Sequence, residues 1–125
     1  MVDVICDTSF LIHLATRKIK NLDSIYTEIG NIEFVIPLVV LNELEQLTKN
    51  QNKQDDASKT LEFVRDMKKI EILGKFADNA ISEYIQKHGG MVATMDEELK
   101  NKIKNLKGTI ISFQMIRSFW NPSKI

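Results

Sequence analysis

The sequence predicts an α/β protein: an open, doubly wound parallel β-sheet of about five strands flanked by helices. Three observations carry that expectation. Short runs rich in β-branched residues, at 2–6, 32–36, 70–73, 91–94 and 109–113, alternate with longer segments whose apolar residues recur at helical spacing. No internal repeat or low-complexity segment interrupts the alternation. The first run also stops on Asp7, Thr8 and Ser9, the polar handover from strand to helix that forms the ligand-binding edge of open α/β sheets.

Val2, Val4, Ile5 and Cys6 suit a strand buried on both faces. Phe10, Leu11, Ile12 and Leu14 continue as a short apolar helix, and Arg17-Lys18-Ile19-Lys20 turns the chain to solvent. Leu22, Ile25, Tyr26 and Ile29 then repeat at helical spacing, with Gly30 where a helix stop belongs. After the second strand, Pro37 suits the first turn of a helix reaching Thr48, with Val40, Leu41, Leu44 and Leu47 as its core stripe. Glu43 borders that apolar face, whereas Glu45 has Lys49 four residues on and is read as solvated.

Residues 49–54 are polar and predict an exposed loop. Ala57, Leu61, Val64 and Met67 mark the next amphipathic helix, and the third strand follows at 70–73. Asp78 opens a helix carrying Ile81, Tyr84 and Ile85, which ends at Gly89-Gly90. Asp96 directly follows the fourth strand and opens a helix with Leu99, Ile103 and Leu106, stopped by Gly108 before the fifth.

At 125 residues the chain is read as one domain, 1–125, with its core in 2–113 and a tail, 114–125, that holds Trp120. Lys plus Arg and Asp plus Glu both number 17, which excludes the global basic field of a polybasic nucleic-acid binder. Cys6 is the only cysteine, so an internal disulfide or cysteine-based zinc site is excluded and a reducing, cytoplasmic setting is expected. No apolar run nears the ~20 residues of a membrane span, so no membrane partner is expected.

Asp7, Glu43, Asp78 and Asp96 each fall just beyond a strand or in the early turns of the following helix. Such acids can simply cap helices, and Asp7, Asp78 and Asp96 all stand where a cap belongs. They can also converge on one sheet edge, where oxygen-only ligands select hard cations such as Mg²⁺ or Mn²⁺ and suit phosphodiester hydrolysis. A Rossmann dinucleotide site is excluded, because no glycine precedes Gly30. A haloacid-dehalogenase-type site lacks its second acid, since Ser9 stands there.

Val4-Ile5-Cys6-Asp7-Thr8-Ser9, Ile36-Pro37 through Leu41-Asn42-Glu43-Leu44, Ala77-Asp78-Asn79-Ala80-Ile81 and Val92-Ala93-Thr94-Met95-Asp96 resemble, in order, the four acid motifs of the PIN-domain nucleases. The resemblance implies a PIN-like fold and a Mg²⁺- or Mn²⁺-dependent endoribonuclease cleaving single-stranded RNA. Asp7, Glu43, Asp78 and Asp96 would be its catalytic, metal-binding acids, with Thr8, Ser9, Asn79 and Thr94 in support. Asn79 departs from the pattern, since many relatives carry a second acid there. The motif details are similar to the ribosomal-RNA-processing branch and leave the VapC-type toxins open, so an antitoxin or a ribosome-assembly factor is the partner implied. PIN domains commonly form homodimers, for which residues 10–29 and 57–67 are candidates. The alternative is a catalytically inactive PIN-like module that binds RNA or protein.

For RNA, Lys100, Lys102, Lys104 and Lys107 form a basic run without an acid, extended by Arg17, Lys18 and Lys20; the same run also reads as a solvated helix face.

Overall fold

A computed structural model describes residues 2–17 and 32–111. The expected helix from Leu22 to Ile29, Lys18 and Lys20, the end of the fifth strand at Ser112 and Phe113, and the Trp120 tail lie outside the described residues.

Strands β1 (Val2–Cys6), β2 (Ile32–Pro37), β3 (Lys68–Ile70), β4 (Met91–Ala93) and β5 (Thr109–Ile111) form one sheet in the order β3-β2-β1-β4-β5. Every neighbouring pair is parallel. Among the described residues the sheet is flanked by α1 (Thr8–Thr16), α2 (Leu38–Leu47), α3 (Gln54–Val64), α4 (Ala77–His88) and α5 (Glu97–Asn105). Alternating strand and helix patterns therefore become the expected parallel α/β sheet.

The chain enters the sheet at its centre, moves outward through β2 and β3, then returns to lay β4 on the other side of β1. Where strand order reverses in this way, the connections leave in opposite directions and open a crevice at the carboxyl ends of the strands. Here that point lies between β1 and β4. Cys6 is paired with Ala93, and the Asp7 N–H donates to the Ala93 carbonyl at 2.9 Å, so the ends of these two strands stand side by side.

The core joins the sheet to the helices through Val4, Ile5, Phe34, Val35, Ile36, Phe10, Leu44, Ile81, Ile85, Leu99 and Ile103, all buried. Phe10 and Phe34 meet with ring centroids 5.6 Å apart and planes tilted by 58°. Each such side chain stabilises the fold by ~1.5–3 kcal/mol through burial. Among the described residues no helix is long and apolar enough to cross a membrane.

Several boundaries differ from those the sequence predicts, each for a local reason. Val2 is 51% exposed because burial of β1 on both faces begins only at Val4. Pro37 ends β2, paired with Ile70, and caps α2 from outside instead of occupying its first turn. The third strand comes earlier than 70–73: Lys68 and Lys69 pair with Val35 and Ile36. Lys69 Nζ donates to the Val64, Arg65 and Met67 carbonyls, closing the end of α3, where a cation is favoured. Ile72 falls outside the ladder yet is buried, and its carbonyl accepts the Val39 N–H at 3.0 Å.

In α3 the buried face is Ala57, Thr60 and Val64; Leu61 within the helix and Met67 beyond its end are half-buried. Thr60 tolerates this place because its hydroxyl bonds back to the Asp56 carbonyl at 2.7 Å. The stop of α5 is also shifted. Lys107, at φ 63°, takes the left-handed position; its N–H donates to the Lys104 carbonyl and that of Gly108 to the Ile103 carbonyl, a Schellman closure. Gly108 is needed for space instead, since a Cβ there would lie 2.5 Å from Ile103 Cγ2 and 2.9 Å from Ile85 Cγ2.

Candidate functional site

Asp7 stands where β1 ends, at the switch point, and is buried. Its backbone occupies the cap position of α1, but its side chain makes no capping hydrogen bond to that helix. Instead Oδ2 accepts the Thr94 hydroxyl at 2.8 Å and the Ser9 hydroxyl at 3.1 Å. Thr94, wholly buried just past β4, also accepts the Asp96 N–H at 3.0 Å, and Ser9 accepts the Met95 N–H at 3.2 Å. The two hydroxyls thus knit the ends of β1 and β4 together and aim both protons at one carboxylate. Burial pushes the Asp7 carboxyl above its ordinary range; the Thr94 hydroxyl, the Thr8 backbone and the Ser9 hydroxyl pull it back, and the Glu43 charge pushes it up again. Beside it, burial and then the Asp7 charge push the Cys6 thiol up, leaving an inert, apolar side chain.

Glu43 lies mid-helix in α2, half-buried. Its Oε1 accepts the Thr8 hydroxyl at 2.7 Å and its Oε2 the Ala77 N–H at 2.8 Å. Ala77 is the first residue of α4, so Glu43 satisfies from another helix one of the orphan amides at that start. An acid bordering an apolar stripe reads in sequence as kept for charge alone; the fold gives it two hydrogen bonds as well.

The capping interpretation holds for one acid of three. Asp96 is the N-cap of α5, and its Oδ1 accepts the N–H groups of Glu98 and Leu99 at 2.9 and 3.4 Å. Asp78 is the second residue of α4, behind Phe76 at the cap; its Oδ1 accepts the Asn79 N–H at 2.8 Å and its Oδ2 lies 3.5 Å from Lys102 Nζ. Asn79 itself is exposed.

All four carboxylates, with Thr8 and Ser9, line one cleft of about 340 Å³ at the switch point. Their oxygen-only donor set fits a hard cation such as Mg²⁺ or Mn²⁺. Among the described residues no three acidic, histidine or cysteine side chains stand together as a ready cage, and Glu43, Asp78 and Asp96 each engage the protein donors just named.

The sequence matches the family profile described as "PIN like domain" over residues 4–115. The chain belongs to the PIN-like domain family. This PIN-like domain is similar to the structure of the PIN domain endonuclease Utp24, with 26% identity and a TM-score of 0.72 over 88% of this chain and 84% of that one. It shares its fold with VapBC2 from Rickettsia felis, solved bound to a DNA fragment from their promoter, at 14% identity and a TM-score of 0.63 over 89% and 98% of the two chains. The same fold recurs in a domain of a functionally unknown protein from Methanocaldococcus jannaschii DSM 2661, at 18% identity and a TM-score of 0.63 over 90% and 91%. No curated protein sequence matches significantly. A fold shared with nucleases supports a nuclease.

Two residues of the PIN-like domain's cleft were not legible in the sequence. Lys53 comes from the polar stretch read as a loop, fixed just before α3 by its carbonyl, which accepts the Ala57 N–H. Phe76 precedes the third acid motif and is 54% exposed, and an aromatic so close to an acid motif was the available signal. In the lysine run Lys100 pairs with Glu97 at 3.1 Å and Lys102 lies 3.5 Å from Asp78 Oδ2, while Lys102, Lys104 and Lys107 are all exposed.

Proposed function

We propose that this PIN-like domain is a Mg²⁺- or Mn²⁺-dependent endoribonuclease acting on single-stranded RNA. The observation that carries the proposal is one cleft at the sheet's switch point holding Asp7, Glu43, Asp78 and Asp96 with two hydroxyls. The four acids would hold metal there, and a bound ion supplies an activated water and charge to steady the leaving oxygen of the phosphodiester. Thr94 and Ser9 orient Asp7 through Oδ2, and Thr8 orients Glu43. Lys53, on the cleft wall, is placed to receive a phosphate of the strand.

Mn²⁺ is expected to raise the melting temperature progressively with concentration, because the assembled site exists only in the folded chain. At about a hundred times its dissociation constant the gain is ~2.7 kcal/mol. Asp96→Asn makes the test specific, since Asn accepts the Glu98 and Leu99 amides as Asp does while removing the charge. The variant should melt higher without metal, by losing repulsion, and gain less from Mn²⁺. A wild-type melting temperature indifferent to Mn²⁺ would leave the acids with structural roles only.

A second reading, a PIN-like module that binds RNA or protein without cutting, is favoured by the engagement of both Glu43 oxygens and the pairing of Asp78 with Lys102. Metal-dependent cleavage of an unstructured RNA separates the two. Its biological setting is proposed as cytoplasmic, which suits the free, buried Cys6 thiol. The partner is an antitoxin or a ribosome-assembly factor, and an antitoxin-like reading frame adjoining this one would select the first.

We also propose a homodimer. Helices α1 and α3 pack on each other within the chain, and the half-buried Leu61, Phe63 and Met67 on or beside α3 keep part of their apolar surface for a second copy. Sedimentation should exceed the monomer mass at micromolar concentration; a monomer throughout that range removes the dimer.

A further inference from the structure

The acid cleft adjoins a second, larger one. The second cleft measures about 580 Å³ and shares Glu43, Leu47 and Phe76 with the first, adding Asn42, Gln46 and Lys75. Its size falls in the range of small-ligand sites. Phe76 therefore stands on the ridge between the two, an exposed residue with Lys75 Nζ 5.6 Å from its ring centroid.

Local structure does not ask for an aromatic ring at this position. Phe76 is the N-cap of α4, where short polar side chains are preferred, and left in water the ring contributes little to the core. The loop that carries it is held close to α4: a Cβ on Gly74 would lie 2.9 Å from the Ala80 Cβ. Across the cleft, Asn42 and Gln46 lie one turn apart on α2, both exposed, and each amide can donate and accept. An exposed ring, a neighbouring cation and adjacent amides are the groups that recognise an unpaired base: stacking on the face, charge on the phosphate, hydrogen bonds to the edge.

We propose that the second cleft is a nucleobase subsite, in which Phe76 stacks an unpaired base of the strand whose phosphate enters the acid cleft. Lys75 contacts the adjoining phosphate, and Asn42 and Gln46 contact the base edge. This assignment rests on the strand-cleaving reading of the acid cleft and adds the residues that grip the substrate beside it.

The test is binding of a labelled, unstructured RNA oligomer in EDTA, by fluorescence anisotropy, with metal-dependent cleavage measured separately. Phe76→Ala and Phe76→Leu should both weaken binding by about tenfold or more, and Phe76→Trp should retain it, because leucine keeps apolar bulk without a stacking face. Lys75→Ala should flatten the dependence of log affinity on log salt by ~0.7, the share of one phosphate on a single strand. Melting temperatures of the four variants serve as the folding control. Binding by Phe76→Leu equal to wild type overturns the subsite and leaves the exposed Leu73 and Phe76 as a surface for a protein partner. Wild-type cleavage with affinity indifferent to Phe76 likewise sinks the subsite while the nuclease reading stands. Affinity that depends on the Phe76 ring, in a protein that cuts no RNA with Mn²⁺, supports the subsite and sinks the nuclease reading.

Discussion

Asp7→Asn is expected to lower the cleavage rate by about 10²–10³-fold, the scale of losing one preorganised electrostatic group, while stabilising the metal-free protein. Both effects come from the same buried charge. Asn retains an oxygen to accept the Thr94 and Ser9 hydroxyls but carries no charge into a site that burial makes unfavourable for one. The folded-state pKa of Asp7 is raised, so the folded chain binds its proton more tightly than the unfolded chain does. The corresponding stability is fully present below the unfolded carboxylate range and is lost as pH rises through the raised folded value. In EDTA the variant should therefore melt above wild type at neutral pH, and the gap should close as pH falls. Melting curves that coincide at every pH would remove the charge argument, and an unchanged cleavage rate would remove Asp7 from the chemistry.

Glu43→Ala is expected to cost stability as well as activity, in a way that a pure metal ligand would not. Its loss leaves the Thr8 hydroxyl and the Ala77 N–H without their acceptor, both on residues with little solvent access. At ~1–3 kcal/mol for each unsatisfied buried group, a combined loss of ~2–6 kcal/mol is expected, or about 10 °C or more in melting temperature. Glu43→Gln offers one acceptor where two donors converge and should fall between. A cycle with Thr8→Val identifies the source, because that variant removes one donor and should recover ~1 kcal/mol of the penalty. If Glu43→Ala melts with the wild type, the carboxylate is held for charge alone.

The amino-acid pattern by itself determined the class of fold and the positions of the four acids along it. Continuous apolar runs and a period of 3.6 are written in neighbouring residues, so Val4-Ile5-Cys6, Phe34-Val35-Ile36 and the stripes of α2 and α4 declare themselves without knowledge of their partners. The end of each such segment also locates Asp7, Asp78 and Asp96. Periodicity failed where a polar pair entered the sheet, as when Lys68 and Lys69 paired with Val35 and Ile36 and Lys69 also closed the end of α3.

Tertiary structure decided which of those acids do what. Ser9 meets Thr94 across 85 residues of chain and Thr8 meets Glu43 across 35, contacts that exist only because β4 lies beside β1 and α2 approaches the start of α4. No local pattern encodes that strand order. It likewise took the folded chain to bring Lys53 and Phe76 into the cleft and to set Lys102 against Asp78. The physical reason is one of range: backbone preference and amphipathicity act within a few residues, whereas a carboxylate's partners, burial and charge are set by whichever segments packing brings beside it.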